Sequence, residues 1–374
     1  MDSPEIFWVA DGDVIAYRLF DIAYAVDLGA AEENLRSRPG VGSARRRLST
    51  PPKAVAFDVP PLAVTLDPVC LSVHGRAAQA RVIARVYDFG VISLALTFPV
   101  RDVSWSGFSD LLNQVAYAIG AGTGRAIWAK LTSDIRSLLG AALDRPTLRE
   151  LEEDYMIGLV RSFDRPLTAA EIPTTLDLVP LLSGESLPLS DAARQDLLRQ
   201  QFSYYVDDLV VLTWDRAFIY EPRDESDVVD ILEVANAQLL ELRYYDELLD
   251  AELPRMYDLV EATHNVANPL AARRYADLAR HLYTLVAEVT EVTEKVDNAL
   301  QVTEDVYLAR VYAAALDLFR VPHVSKAVDR KLAIIRDSYS ALYEEASSKR
   351  GELMELAIIL LIAVEIVIAV MRHG

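Results

Sequence analysis

Residues 228–260, VVDILEVANAQLLELRYYDELLDAELPRMYDLV, carry a sustained apolar repeat. Apolar residues recur in it at alternating steps of four and three, over more than four heptads. This spacing predicts one long helix with an apolar seam, which starts after Ser226 and ends near His264. Two faults interrupt the seam, because Asp246 occupies an apolar position and Pro254 is expected to kink the helix.

Two further seams follow along the chain, over residues 278–299 and 328–346. Pro269 and Pro322 mark the turns between the helices. We therefore expect residues 223–350 to form three long helices in an antiparallel, coiled-coil-like stack. Because such seams also join separate chains, we expect a homo-oligomer, and the seams could close within one chain or between chains.

The first 222 residues have a different pattern. Segments rich in Val, Ile, Leu and aromatic residues predict strands over 54–58, 62–66, 81–98, 154–163 and 207–222. Helical spacing predicts helices over 104–120, 125–143 and 190–200, with Ser190 as the cap of the third. Strands and helices do not alternate regularly, so we expect an α+β head over residues 1–222 rather than a doubly wound sheet.

The C-terminal segment, residues 351–374, is almost wholly aliphatic. Between residues 353 and 371 only Glu355 and Glu365 are charged. A helix of this length spans roughly 28 Å, so the segment predicts a C-terminal transmembrane helix with Arg350 on the cytoplasmic side. A carboxyl in lipid must be protonated, paired or turned toward another helix, and we interpret Glu365 as an oligomer contact. A buried core helix is the alternative, because a central carboxylate costs about 2.5–3.5 kcal/mol on insertion.

The composition bounds the possible functions. A net charge of −19 argues against bulk binding to nucleic acid, so direct DNA binding is not expected. Cys70 is the only cysteine, which excludes an intramolecular disulfide and a cysteine-built zinc site. The first residues, MDSPEIFWVADGD, are acidic and lack the pattern of a signal peptide. We therefore expect the head to lie in the cytoplasm.

Motifs that would carry chemistry are weak. Glu261 and His264 form one ExxH, but a di-iron bundle needs a second, which the sequence lacks. Residues 120–125, GAGTGR, superficially match a phosphate loop, yet they follow a helix and lack the lysine, so we expect an interhelical turn. An acidic cluster complements the dipole at a helix start, or weakly binds a divalent cation: Glu221, Asp224, Glu225, Asp227 and Asp230. No catalytic residue, cofactor or metal site is predicted.

Four segments carry a resemblance to a known family. They are DLVVLTWDRAFIYEP (208–222), ILEVANAQLLELRYYDELLDAEL (231–253), TEDVYLARVY (303–312) and GELMELAIILLIAVEI (351–366). The chain resembles the "required for meiotic nuclear division" family, the YagE-like proteins, from about Ala54 to the end. The resemblance implies an α+β part, a helical part and one C-terminal span. The mitochondrial member implies a role in translation, and because this chain lacks a presequence we expect a bacterial inner-membrane protein.

The resemblance also selects candidate interaction residues, since no catalytic set is established for the family. Tyr244, Tyr245 and Asp246 match its motif, and Asp246 also occupies an apolar position of the heptad. We interpret Asp246 as a polar residue that bonds a hydroxyl or amide of the head and fixes helix register. The alternative is a contact site where the head meets the stalk, by which we mean the predicted helical stack of residues 223–350. Trp214 and Asp215 could likewise have a structural role or form a contact site. We expect a buried Trp214 with its N–H hydrogen-bonded.

Two hypotheses follow. The first is a non-enzymatic, membrane-anchored oligomeric scaffold whose head recruits a partner, for which the resemblance suggests the ribosome or translation machinery. The second is a membrane-associated enzyme, or a nucleotide- or metal-binding protein, with a site between head and stalk. A concave cleft in which several ionisable side chains with perturbed pKa converge would favour the second.

Overall fold

The computed structural model describes most of the first two thirds of the chain and parts of the remainder. The described residues are 7–36, 43–45, 59–73, 75–120, 123–147, 151–223, 227–264, 277, 280, 282–284, 286–287, 289–290, 306–338, 340, 358–359 and 361. The chain forms two compact units: unit 1 comprises 1–241 and 295–322, and unit 2 comprises 242–294 and 323–374. The domain boundaries predicted at 222 and 350 stay predictions.

Strands dominate unit 1. In chain order they are β1 Trp8–Asp21, β2 Ala23–Val26, β3 Ser43–Arg45, β4 Leu62–Val73, β5 Arg76–Val86, β6 Val91–Ser104, β7 Leu143–Pro146, β8 Glu152–Phe163, β9 Gln201–Phe202, β10 Leu209–Leu212 and β11 Arg216–Tyr220. Among the described residues, nine strands form one sheet in the order β3-β4-β5-β6-β1-β8-β11-β10-β9, and β2 pairs with β7. Strands β8 and β11 run parallel, whereas β1 is antiparallel to both β6 and β8.

The helices of the described residues are fewer and mostly short. They include α1 Leu28–Arg36, α2 Trp105–Gly120, α3 Thr123–Leu139, α4 Ile172–Thr175, α5 Val179–Ser183, α6 Asp191–Leu197, α7 Val228–His264 and α8 Val306–Leu318. The helices predicted over 104–120, 125–143 and 190–200 are confirmed as α2, α3 and α6. Ser190 caps α6 as expected, because its Oγ accepts a hydrogen bond of 3.3 Å from the Ala193 N–H. A mixed head with a large sheet and several helices is therefore confirmed.

The alternation of side chains along β1 gives the sheet two different faces. Val14 and Ala16 belong to the hydrophobic core that also contains Phe108 and Leu112 of α2, and we call this side the α2 face. Gly158 of β8 lies under α2, where an added Cβ would stand 3.1 Å from the Phe108 ring. Asp13, Ile15 and Tyr17 of β1 line a cavity on the opposite side, which we call the α7 face.

Two predicted strands are each divided by a turn. The segment 81–98 is a hairpin of β5 and β6, because the chain reverses at Gly90, whose φ of 94° suits glycine. The segment 207–222 is β10 and β11, with Trp214 at the reversal. The predictions for 62–66 and 154–163 are confirmed within β4 and β8. The segment 54–58 lies outside the described residues.

Helix α7 begins and ends where the sequence predicts, and it continues through Pro254. The coiled-coil interpretation of its first part is wrong, because the helix is buried on several sides there. Glu233, Asn236 and Glu241 are buried as well as the apolar seam. A helix buried on all sides is a core helix, and its polar residues need partners within the fold.

The later helical segments agree with the seams in part. Leu282, Val289, Val328 and Ile335 are buried, as their seam positions predict. The break predicted at Val321–Pro322 is confirmed to within a few residues, because α8 ends at Leu318, the chain turns at Arg320, whose φ is 60°, and residues 321–338 are helical again. No helix in the described part of the chain has both the length and the apolarity needed to cross a bilayer. Of the predicted transmembrane segment, only residues 358, 359 and 361 are described.

Candidate ligand-binding cavity

A cavity of about 230 Å³ lies in unit 1, between the α7 face of the sheet and the first turn of α7. Strands β1, β5, β6 and β8 supply its floor, and the segment after β11 supplies one wall. Its lining residues are Asp13, Ile15, Tyr17, Arg81, Ile83, Arg85, Ala95, Thr97, Leu159, Arg161, Glu221, Arg223, Val229 and Asp230. The lining contains four arginines in a chain whose net charge is −19.

The mouth of the cavity is built on Asp13 of β1. Its carboxylate is almost fully buried and lies 2.5 Å from an Arg161 guanidinium nitrogen. Arg81, on β5, approaches the other oxygen of Asp13 at 3.6 Å, and its side chain is 68% exposed. The distance exceeds that of a hydrogen bond, so Arg81 is held loosely while Arg161 neutralises the aspartate.

A shallow outer groove continues from this mouth along the sheet. It shares Asp13, Arg81 and Arg161 with the cavity and adds Asp11, Pro99 and Arg101. Arg101 is 80% exposed and lies 3.9 Å from Asp11. The groove thus brings three arginines against two aspartates, which leaves an excess of one positive charge.

The inner end of the cavity is closed by a buried ion cluster. Arg85 lies 2.7 Å from Asp230, in the first turn of α7, and also contacts Glu233 one turn further along. The Tyr87 hydroxyl donates a hydrogen bond of 3.0 Å to Glu233. The Tyr17 hydroxyl donates one of 3.1 Å to the Val229 carbonyl, which fixes the start of α7 on the sheet.

The pKa values of this cluster follow from burial and charge. Burial lowers the pKa of Arg85, but Glu233 and Asp230 raise it more, so the net shift is upward. Burial raises the pKa of Glu233, Arg85 opposes this shift, and Asp230 adds to it. Burial and the charge of Glu233 raise the pKa of Tyr87 well above its ordinary value. Arg85 therefore stays charged, and Tyr87 acts as a neutral hydrogen-bond donor.

The remaining wall is held by Arg223. Its guanidinium lies 2.7 Å from Asp207, 3.3 Å from Asp208 and 3.2 Å from Glu221. Burial raises the pKa of Glu221, although a backbone hydrogen bond and the charge of Arg223 oppose the shift. The Tyr205 ring lies 4.2 Å from the guanidinium carbon, in a cation–π contact. Arg223 is thus a structural clamp for this wall.

The chemistry of this arrangement is ionic binding. Arg81 and Arg161 at the mouth and Arg101 in the outer groove present planar guanidinium groups suited to carboxylate or phosphate oxygens. No group of three or more His, Cys, Asp or Glu suited to a metal ion occurs among the described residues. The cavity carboxylates Asp13, Glu221 and Asp230 are each paired with an arginine. In the described part of the chain, the cavity therefore presents guanidinium groups as its ligand-binding chemistry.

The prediction of a buried Trp214 is wrong, because this side chain is 73% exposed at the tip of the β10–β11 turn. Thr213 closes the turn: its Oγ1 accepts a hydrogen bond of 3.0 Å from the Arg216 N–H. The Tyr155 hydroxyl lies 3.0 Å from the Thr213 carbonyl and 2.8 Å from that of Arg216. Burial raises the pKa of Asp215, opposed by Arg216. Neither Trp214 nor Asp215 lines the cavity.

The tyrosine–aspartate motif lies in unit 2. The Tyr244 and Tyr245 rings meet edge to face at 5.2 Å, and Tyr245 is buried. Asp246 accepts a hydrogen bond of 2.7 Å from the Lys331 ammonium, which also lies 2.6 Å from Asp250. The expected partner was a hydroxyl or amide of the head, and the structure replaces it with a lysine of unit 2. The alternative, a contact site with the head, stays a prediction.

The other predicted positions contribute little to the cavity. Glu355 and Glu365 lie outside the described residues, and the side chains of Glu261 and His264 are not described. Of the interhelical turn expected at 120–125, residues 121 and 122 lie outside the described residues, and the flanking residues belong to α2, which ends at Gly120, and α3, which begins at Thr123. The acidic cluster has a role beyond the helix dipole, because Glu221 and Asp230 both pair with cavity arginines.

Sequence reasoning missed the cavity residues themselves. One signal was present: Arg81, Ile83 and Arg85 alternate along a strand, so their side chains share a face. A second was Glu233, a lone carboxylate in the apolar run ILEVAN, which required a buried cation as partner. Which cation it was could not be deduced, because Arg85 and Glu233 lie 148 positions apart.

Comparison with known proteins supplies a family. A family model described as "Uncharacterized protein MJ0711, N-terminal domain" matches residues 11–227. The chain belongs to this family. The matched segment contains every lining residue of the cavity except Val229 and Asp230. The cavity therefore lies mainly within the segment that the family model matches.

One curated relative and the solved structures complete the comparison. The chain is 26% identical over 196 residues to "Uncharacterized protein MJ0711" of Methanocaldococcus jannaschii. The aligned part covers 52% of this chain and 59% of that protein. No solved structure matches the chain. Membership of the MJ0711 N-terminal-domain family leaves the resemblance to the YagE-like proteins as a prediction.

Proposed function

We propose that unit 1 is a non-enzymatic binding domain for a small anionic ligand, which enters the cavity from the outer groove. The exposed guanidinium of Arg81 at the mouth is the observation that carries this proposal. Its ion pair with Asp13 is long, at 3.6 Å, and Asp13 already has Arg161 at 2.5 Å. Arg81 can therefore turn toward a ligand while Asp13 keeps its short ion pair with Arg161.

Three features support an anion rather than a cation. The groove carries an excess of one positive charge, as counted from its three arginines and two aspartates. Arginine binds carboxylate and phosphate through two parallel hydrogen bonds, which a loosely paired guanidinium can still supply. The chain as a whole is strongly acidic, so a local positive site would concentrate anions only here and not over the whole surface.

Titration calorimetry on the full chain with acetate, sulfate and inorganic phosphate tests the proposal. We expect binding that weakens as sodium chloride is raised and that Arg81→Gln abolishes. Arg199→Gln is the matched control, because Arg199 is 71% exposed and pairs only with a neighbour on α6, at 3.5 Å. Equal binding by the wild type and Arg81→Gln would exclude the mouth as the site.

A tethered scaffold is the second candidate, and the exposed side chains of Ile358, Ile359 and Leu361 favour it. Aliphatic groups left in water are suited to lipid or to another chain. Under this proposal the tail holds the protein at a bacterial inner membrane as an oligomer, with a translation component as partner of the head. Removal of residues 351–374 should then release the protein from the membrane fraction, and continued sedimentation with membranes would exclude the tether.

A further inference from the structure

The floor of the cavity is apolar, and this feature carries an inference that rests on the proposed anion site. Ile15 and Leu159 are buried, and Ile83 and Val229 are half-buried with part of their surface open to the cavity. The Tyr17 ring closes the floor, since its hydroxyl is already bonded to α7. A fully hydrated ion such as phosphate would leave this apolar surface without a partner.

Charge and apolar surface are arranged in order along β5. Arg81 stands opposite Thr97, Ile83 opposite Ala95, and Arg85 opposite Ser93. Side chains two positions apart on one strand face are separated by roughly 6.5 Å. If Arg81 holds the charged end of a ligand, the next part of the ligand, roughly 6 Å long, lies on Ile83. Beyond Ile83 lies Arg85, whose charge Asp230 and Glu233 neutralise.

The size of the cavity limits that body. Its volume of about 230 Å³ is below the roughly 300–1,000 Å³ of pockets that enclose drug-sized molecules. With about 30 Å³ per water-sized group, it accommodates roughly eight non-hydrogen atoms. A ligand held within the cavity itself is therefore small, and a short carboxylic acid with a linear aliphatic chain fits this size.

We infer that the ligand is a small organic anion with an apolar body, of the class of short-chain carboxylates. Its carboxylate lies against the exposed guanidinium of Arg81 at the mouth, beside the Asp13–Arg161 ion pair. Its aliphatic chain lies on Ile15, Ile83 and Leu159, and Val229 of α7 covers it from above. Apolar contact selects chain length, and the arginines select charge.

The test is calorimetry on the full chain with a homologous series of acetate, butanoate and hexanoate, alongside inorganic phosphate and neutral hexanamide. Each methylene that enters the cavity should lower the dissociation constant by up to about fourfold. Hexanamide should bind at least about tenfold more weakly than hexanoate, because it lacks the charge that the arginines recognise. Arg81→Gln should abolish the whole series, and Arg199→Gln should leave it unchanged.

Variants of the cavity floor distinguish the inference of an apolar ligand body from the proposed anion site on which it rests. Ile83→Thr and, independently, Val229→Ala should flatten the dependence on chain length while acetate binding persists. Two floor variants are used so that a folding defect in one, visible in its circular dichroism, leaves the other as the test. Equal affinities for acetate, hexanoate and phosphate, all dependent on Arg81, would overturn this inference and leave the anion site intact. No binding of any anion would overturn both.

Discussion

Replacement of Arg85 by methionine tests the buried ion cluster on which the position of α7 depends. The substitution keeps much of the side-chain volume and removes the one cation between Asp230 and Glu233. Their carboxylates are 9% and 0% exposed, so both lose the counter-charge that offsets their desolvation. Removal of one partner from a buried pair costs about 3–5 kcal/mol. At roughly 2–4 °C per kcal/mol for a unit of this size, we expect the melting temperature to fall by about 6–20 °C.

The same variant should acquire a pH dependence with a defined sign. The folded-state pKa of Glu233 is raised in the wild type, and loss of the opposing Arg85 raises it further. A carboxyl with a raised folded pKa stabilises the fold below its unfolded pKa of about 4.3, and this contribution is lost as pH rises through the folded pKa. The deficit of Arg85→Met relative to the wild type should therefore be smaller at pH 5 than at pH 8.

Thermal melts followed by circular dichroism, together with urea titrations, measure both effects. Arg199→Met is the control, because an exposed pair of this kind contributes about 0–1 kcal/mol. The pair Arg85→Met and Glu233→Gln completes a double-mutant cycle. We expect Glu233→Gln to cost less in the Arg85→Met background than in the wild type, since it then removes a charge without a partner. If the two costs add within about 0.5 kcal/mol, with no pH-dependent deficit, the residues do not form an ion cluster.

Two further predictions concern the turn at β5–β6 and unit 2. Gly90→Ala should destabilise the protein by more than about 3 kcal/mol, because its Cβ would stand 1.7 Å from the Ala23 carbonyl oxygen. Gly75→Ala is the control, with a φ of 70° but open space around it, and should cost about 1–2 kcal/mol in urea titrations. Asp246→Leu should lower the pKa of Lys331, which Asp246 and Asp250 raise against burial, and cost about 1–3 kcal/mol. Urea titration and gel filtration, compared with the exposed Asp258→Leu, would show whether the residue acts on stability, assembly or neither.

Helices were predicted better than strands, for a physical reason that particular elements illustrate. In α2 and α7 the apolar spacing repeats over several turns, so both ends could be placed from the sequence alone. Strand β1 was missed, although it lies at the centre of the sheet between β6 and β8. Its first half contains Asp11, Gly12 and Asp13, which look like a turn in sequence. The two aspartates are tolerated in the strand because arginines of neighbouring strands neutralise them.

The candidate cavity could be predicted only in part. Periodicity places Arg81, Ile83 and Arg85 on one face of β5, but it does not say which element covers that face. The covering element is α7, whose seam suggested a partner helix and whose first part packs on the sheet instead. The spacing of apolar residues along a sequence does not show which distant elements pack against each other. The buried Glu233 required a cation from elsewhere, and only the fold identifies it as Arg85.

The cavity arginines thus have two different roles: Arg81 at the mouth is expected to bind the ligand, and Arg85 in the buried cluster stabilises the fold. Measuring both stability and anion affinity in one variant of each region tests this difference. Arg81 is exposed and loosely paired, and Asp13 keeps its short ion pair with Arg161, so Arg81→Gln should remove anion binding and lower stability less than Glu233→Gln does. Glu233→Gln should instead lower stability and leave anion binding in place. It weakens a charged hydrogen bond from Tyr87 and the pairing of Arg85, at about 1.5–3 kcal/mol, and it removes a negative charge behind the cavity. Anion affinity should then stay equal or rise. If both variants lowered both stability and affinity, mouth and cluster would be one coupled unit, and the loss of binding in Arg81→Gln could no longer be assigned to a direct contact.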